Sequence, residues 1–201
     1  MKQLLLDIKP AAPPSFDNFV VGKNAELVFQ LKHTLNNPQL AQFIYIWGES
    51  GSGKTHLLAA CKTHAVALVD NVHLLNDPAQ IDLFNQYNQL KASNGRLICA
   101  GLHAPTQMGL RDDLSTRLAW GLVYQCQTLS DIDKATALKQ HAFERGMKLP
   151  DEVAEYCLRY LRRDLPTLMA TLDALDEWSL TTKKPVTVPM LRKLLQLNLD
   201  I

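Results

Sequence analysis

The sequence predicts an α/β protein in which a parallel sheet precedes a helical domain, and three observations predict it. Four short apolar runs, residues 43–47 (FIYIW), 66–69 (VALV), 96–100 (RLICA) and 121–125 (GLVYQ), alternate with helical patterns up to residue 129. From Ser130 onward the patterns are helical alone. Between the first run and the next helix lies a glycine-rich octet, a junction typical of sheets that bind ligands at their carboxyl edge.

The elements follow in order. Residues 1–15 read as a tail and linker, because KPAAPPS over 9–15 holds three prolines that favour extended chain. From Asn24 a helical spacing of Leu27, Phe29, Leu31 and Leu35 runs to the Asn36-Asn37-Pro38 stop. Strand 43–47 and the octet come next, then a helix over 56–64 and the buried strand 66–69. Asp77 reads as an N-cap with Pro78 in the first turn, opening a helix to residue 92. Strand 96–100, a short helix over 113–118 and strand 121–125 complete the region 16–129. Over 130–201, Ser130 and Asp133 form a capping-box-like start and Gly146 a stop. Helices over 151–161, 164–180 and 188–197 follow, with Leu168, Leu172 and Leu175 as one apolar stripe for a core.

Composition narrows the function classes. Of 201 residues 47% are hydrophobic and 20% charged, enough apolar side chain for packed cores. Lys+Arg 21 against Asp+Glu 20 gives +1, so no basic tract advertises nucleic acid. No apolar run reaches the ~20 residues of a membrane span, and residues 1–8 do not suit a signal peptide, so a cytoplasmic location is expected. Cys61, Cys99, Cys126 and Cys157 lack zinc spacing and read as buried thiols; Cys61 and His64 have no second ligand pair.

The octet Gly48-Glu49-Ser50-Gly51-Ser52-Gly53-Lys54-Thr55 satisfies G-x-x-x-x-G-K-[ST]. Glycines there let backbone N–H groups converge on phosphate oxygens, and the following helix adds its positive end. On this reading Lys54 reaches the β- and γ-phosphates of ADP or ATP, and the Thr55 hydroxyl ligates Mg²⁺. A bare glycine turn leaves Lys54 and Thr55 unexplained. Asp70 ends an apolar strand and is the candidate second holder of Mg²⁺, the alternative being a turn-capping Asp. Its neighbour Asn71 stands where a hydrolase needs a second acid, and an amide cannot accept the water's proton. Nucleotide binding with weak hydrolysis is expected.

Together the octet, Val69-Asp70-Asn71, the stretch Asp113-Leu114-Ser115-Thr116-Arg117-Leu118-Ala119-Trp120-Gly121 and the helical end resemble the AAA+ ATPases. Within these the chain resembles the DnaA-related branch, which holds the bacterial replication initiator and the Hda family of its regulators. The likeness covers roughly residues 16–200. It implies an AAA+ parallel sheet with a C-terminal helical lid, and an arginine finger at Arg117 acting on a neighbour's ATP; a surface salt bridge to Asp112 or Asp113 is the alternative. It also implies that Gln3, Leu4, Leu6 and Ile8 form a peptide docking on the sliding clamp, the β subunit of DNA polymerase III, the alternative being an N-terminal strand on the sheet. The partners implied are that clamp and the initiator DnaA.

Because the chain ends after the helical bundle, sequence-specific DNA binding is not expected; self-association is open. The function implied is regulation of replication initiation, with a self-sufficient AAA+ ATPase or helicase-loader-like motor, or an interaction module with a vestigial pocket, as rivals. Departures are visible too. Only 15 positions separate Thr55 from Asp70, too few for the strand–helix unit usual in AAA+ domains, so a shortened sheet of four core strands is expected. Pro166 stands where the lid's sensor arginine is expected, leaving Arg163 as a displaced substitute. Gly101-Leu102-His103 offers no clear sensor after the third strand.

Overall fold

A computed structural model describes residues 13–37, 43–62, 66–161 and 164–197. Gln3, Leu4, Leu6, Ile8, His64 and Arg163 lie outside the described residues. The chain divides into two compact units, one over Pro14–Leu129 and one containing the residues from Ser130.

In the first unit the order is α1 (Ala25–Asn36), β1 (Phe43–Trp47), α2 (Lys54–Ala60), β2 (Ala67–Val69), α3 (Asp77–Ala92), β3 (Leu97–Gly101), α4 (Asp112–Ala119) and β4 (Leu122–Gln125). Short 3₁₀ turns follow β2 at Val72–Leu74 and β3 at Pro105–Gln107. The four strands are all parallel, in the order β2-β3-β1-β4. This is the shortened sheet that the spacing of Thr55 and Asp70 implies: between them only α2 and β2 fit, which leaves β2 at an edge. Removing a neighbour there leaves the central pairings intact, with Ile44 opposite Ile98 and Tyr45 opposite Cys99.

Parallel strands covered on both faces read as unbroken apolar runs, and β3 is buried at every position. Alternation along β1 sends Ile44 and Ile46 to one side, where Leu27, Leu31, Leu57 and Leu58 of α1 and α2 pack. Tyr45 goes to the other side, against Leu83, Tyr87, Leu114 and Leu118 of α3 and α4. Two polar ties hold α1 in place. Arg96, buried before β3, donates to the carbonyls of Thr34 and Leu35 at 3.1 Å each, where the helix end is negative. Asn24, at the other end, exchanges two hydrogen bonds with the backbone of Gln127, at 2.9 and 2.7 Å. The cap of α3 is one residue earlier than its pattern suggests. Asn76, in extended backbone, accepts from the N–H of Ala79, and Asp77 and Pro78 occupy the first helical positions, where a missing N–H costs nothing.

The second unit holds α5 (Asp131–Glu144), α6 (Asp151–Tyr160), α7 (Leu165–Thr182) and α8 (Val188–Leu197). Ser130 and Asp133 close a reciprocal capping box on α5. At its far end Gly146 and Met147 donate back to Phe143 and Ala142, the Schellman arrangement. Leu168, Leu172 and Leu175 are fully buried with Leu138, Val153, Cys157, Leu191 and Leu194. Arg145 of α5 pairs with Asp173 and Asp176 of α7, both at 3.2 Å. All four cysteines are buried and free. Among the described residues no helix is long and apolar enough to cross a membrane, and no group of His, Cys, Asp or Glu could hold a metal by itself.

Candidate nucleotide site and arginine face

The loop Gly48–Thr55 leaves the carboxyl end of β1, one of the two inner strands of the sheet, and runs into α2. Gly53 begins the helix with φ 100°, in the left-handed region, and its carbonyl accepts the first intrahelical bond from Leu57. A Cβ at Gly53 would lie 2.7 Å from the Phe19 ring, so glycine is required twice over. The ammonium of Lys54 donates to the carbonyls of Gly48 at 2.7 Å and Glu49 at 2.8 Å, and to the Ser52 hydroxyl at 3.4 Å. Lys54 is only 9% exposed. Burial pulls its pKa below the ordinary lysine range, and nearby Cys126 and Asp70 pull it partly back.

Thr55 and Asp70 meet. The Thr55 hydroxyl donates to one Asp70 oxygen at 2.6 Å, and the other oxygen accepts the Asn71 N–H at 2.7 Å. This places a hydroxyl and a carboxylate at the end of β2 beside the start of α2. Asn71 has φ 53° and ψ 43°, a left-handed conformation that asparagine tolerates, and caps the 3₁₀ turn that follows.

Several residues around the loop carry no local sequence signal. Phe19 covers Gly53 and stands 5.4 Å, ring to ring, from His56. His56 in turn meets the Ser15 carbonyl at 2.9 Å, so residues 15–19 lie along the start of α2. Cys126, just past β4, donates its thiol to the Ser52 carbonyl at 3.0 Å, and burial pushes that thiol's pKa up. Such contacts join residues 34 to 74 apart in sequence and exist only once the sheet has formed.

Arg117 sits in the last turn of α4, partly exposed. Its guanidinium carbon lies 4.5 Å from the Trp120 ring centre and 5.9 Å from that of Phe84 on α3. Asp113 is occupied by Arg111 through two hydrogen bonds, at 3.0 and 3.3 Å, and each of the pair shifts the other toward its charged form. Among the described residues no carboxylate lies within 4.0 Å of Arg117. In the second unit Pro166 occupies the exposed first turn of α7, with Asp164 as the cap. His103 after β3 is exposed, and its carbonyl accepts the buried Tyr45 hydroxyl at 3.1 Å.

A parallel sheet of this order, a phosphate-loop motif at the end of its central strand and a following helical unit define an AAA+ protein with a lid. A model described as the bacterial DnaA ATPase domain matches residues 12–73, and one described as the Hda lid domain matches residues 131–195. An uncharacterized protein of Haemophilus influenzae is 32% identical over an alignment of 231 positions, covering 98% of this chain and 99% of that one. Since this chain has 201 residues, 231 − 201 leaves at least 30 positions filled only in the relative. Among solved structures, domain III of DnaA from Thermotoga maritima matches with TM-score 0.74 at 21% identity, covering 90% of this chain and 95% of that chain. A DnaA bound to AMPPCP and single-stranded DNA matches with TM-score 0.70 at 22% identity, over 85% and 68%. The chain belongs to one family with the Haemophilus influenzae protein, and its two matched regions make it an Hda-like, DnaA-related AAA+ protein.

Proposed function

We propose that this protein regulates replication initiation by promoting hydrolysis of ATP held by the initiator DnaA. In this reading it binds ADP or ATP at Gly48, Glu49, Ser50, Gly51, Ser52, Gly53, Lys54 and Thr55, with Asp70 beside them. Gln3, Leu4, Leu6 and Ile8 tether it to the sliding clamp, which places a cytoplasmic protein at the nucleoid. Arg117 is the catalytic residue, acting across the contact with the initiator, where its charge stabilises the transferring phosphoryl group.

The residues present fit a nucleotide with Mg²⁺. Lys54 already bridges carbonyls of the loop, so its ammonium is held where a phosphate oxygen can replace them. Thr55 and Asp70 form an all-oxygen donor pair, the chemistry that a hard divalent cation selects. When bound, Mg²⁺ supplies charge neutralisation on the phosphates. The chain's own groups do the rest: loop amides and Lys54 grip, Thr55 and Asp70 orient, and Asn71 withholds a proton acceptor.

The observation that carries the proposal is the guanidinium of Arg117, resting on aromatic faces with no carboxylate within 4.0 Å among the described residues, on a domain whose own site has Asn71 beside Asp70. A cation left without a carboxylate suits an anion brought by another molecule. Steady-state assays separate the readings. The regulator reading expects little turnover from the purified chain and release of phosphate once ATP-loaded initiator and DNA-loaded clamp are added, lost on deleting residues 1–8. Rapid turnover by the chain alone identifies a self-sufficient motor instead. Failure to retain radiolabelled ADP or ATP at micromolar concentration identifies a vestigial pocket.

A further inference from the structure

We infer that Trp120, aided by Phe84, is a positioning residue that fixes the Arg117 guanidinium at the end of α4 without neutralising it. The inference rests on the reading of Arg117 given above. Both rings lie within the ~6 Å over which a ring quadrupole attracts a cation, Trp120 closer at 4.5 Å. The indole receives a second cation as well, with the Lys91 ammonium 5.2 Å from its centre. Among the described residues Lys91, like Arg117, has no carboxylate within 4.0 Å.

A carboxylate would hold Arg117 firmly but cancel the charge that a phosphate needs. A ring face orients the planar guanidinium and leaves its five N–H donors free for an incoming anion. The backbone fixes the ring. Arg117 and Trp120 are i,i+3 neighbours on one helix face, and the Trp120 N–H closes the helix by donating to the carbonyls of Thr116 at 3.2 Å and Arg117 at 3.3 Å. At Gly121 a Cβ would lie 2.2 Å from the Phe43 carbonyl oxygen, so the chain passes hard against β1 immediately after the indole. Trp120 is 61% exposed, so its burial contributes little to the core, and a replacement there leaves the fold in place.

The test uses the full chain with Trp120→Leu, Trp120→Tyr and Arg117→Ala. In the isolated protein, ¹⁵N relaxation at the Arg117 Nε–H group should show an ordered side chain in wild type and Trp120→Tyr, and a mobile one in Trp120→Leu. Equal order in Trp120→Leu overturns the inference. Against ATP-loaded initiator with clamp, Trp120→Leu should lower the saturated hydrolysis rate roughly 3- to 30-fold, the range that ring–cation attraction supplies, while the half-saturating concentration stays fixed. Trp120→Tyr should recover most of the rate. A Trp120→Leu chain as fast as wild type, or a changed half-saturating concentration that tyrosine does not restore, overturns the positioning role. Full activity in Arg117→Ala instead rejects the finger reading, and the relaxation result then decides whether the rings order Arg117.

Discussion

Gly53→Ala puts one methyl into a constrained point of the Gly48–Thr55 loop. The backbone there, at φ 100° and ψ 8°, is left-handed, and an L side chain in that region costs about 1–2 kcal/mol. The added Cβ would sit 2.7 Å from the Phe19 ring, which packs on the core beside His56 and must rotate away, costing about 0.5–1.5 kcal/mol as an off-rotamer side chain. The sum is about 1.5–3.5 kcal/mol. In a chain of this size that lowers Tm by roughly 3–14 °C. Differential scanning fluorimetry measures it, and a second variant separates the two terms. Phe19→Leu combined with Gly53→Ala should return the steric part while leaving the conformational part, so the double substitution costs less than the two singles added together. An unchanged Tm in Gly53→Ala, or strict additivity with Phe19→Leu, would refute this account of why glycine stands there.

Asn71→Asp restores a carboxylate in nearly the same volume and in a conformation that Asp also tolerates. Turnover of ATP by the chain alone should rise about tenfold or more, as a placed general base supplies, and an unchanged rate with nucleotide affinity intact would show that Asn71 is not what limits hydrolysis. Ser130→Ala removes both the acceptor for the Asp133 N–H and the hydroxyl that meets the Asp133 carboxylate. About 1 kcal/mol of stability should disappear, read by urea unfolding. Burial pushes the Cys61 thiol up to about 12 and Cys157 to about 11, from an ordinary value of 9.0. Above pH 9 the unfolded chain therefore loses these protons before the folded chain does, so stability falls as pH rises, by about 1.4 kcal/mol per pH unit for each thiol. A stability flat from pH 9 to 10.5 would contradict it, as would rapid labelling of the native thiols at pH 8.

The parallel sheet, the loop–helix junction and the lid core were legible because each is written locally. The strand over 43–47 is one apolar run, Leu168, Leu172 and Leu175 recur at helical spacing, and the octet carries its own turn chemistry. The shortened sheet was legible as arithmetic, since an offset of 15 from Thr55 to Asp70 admits one helix and one strand. Other features arise between segments and leave no periodic trace. Asn24 pairing with Gln127, Cys126 reaching Ser52 and Phe19 lying over Gly53 each require the assembled sheet. Asp112 and Asp113 stand on the same short helix as Arg117, so a salt bridge was as readable as a free cation. Arg111 decides the matter for Asp113 by taking it in a two-point hydrogen bond.

The central claim is that the Arg117 guanidinium acts on a triphosphate bound to another protein. Single-turnover hydrolysis of γ-labelled ATP preloaded on the initiator, with DNA-loaded clamp and saturating chain, tests it most directly. The account predicts that Arg117→Ala slows phosphate release about 10³-fold or more, while the variant still co-elutes with the clamp and retains its own nucleotide. Release at the wild-type rate by Arg117→Ala would contradict it.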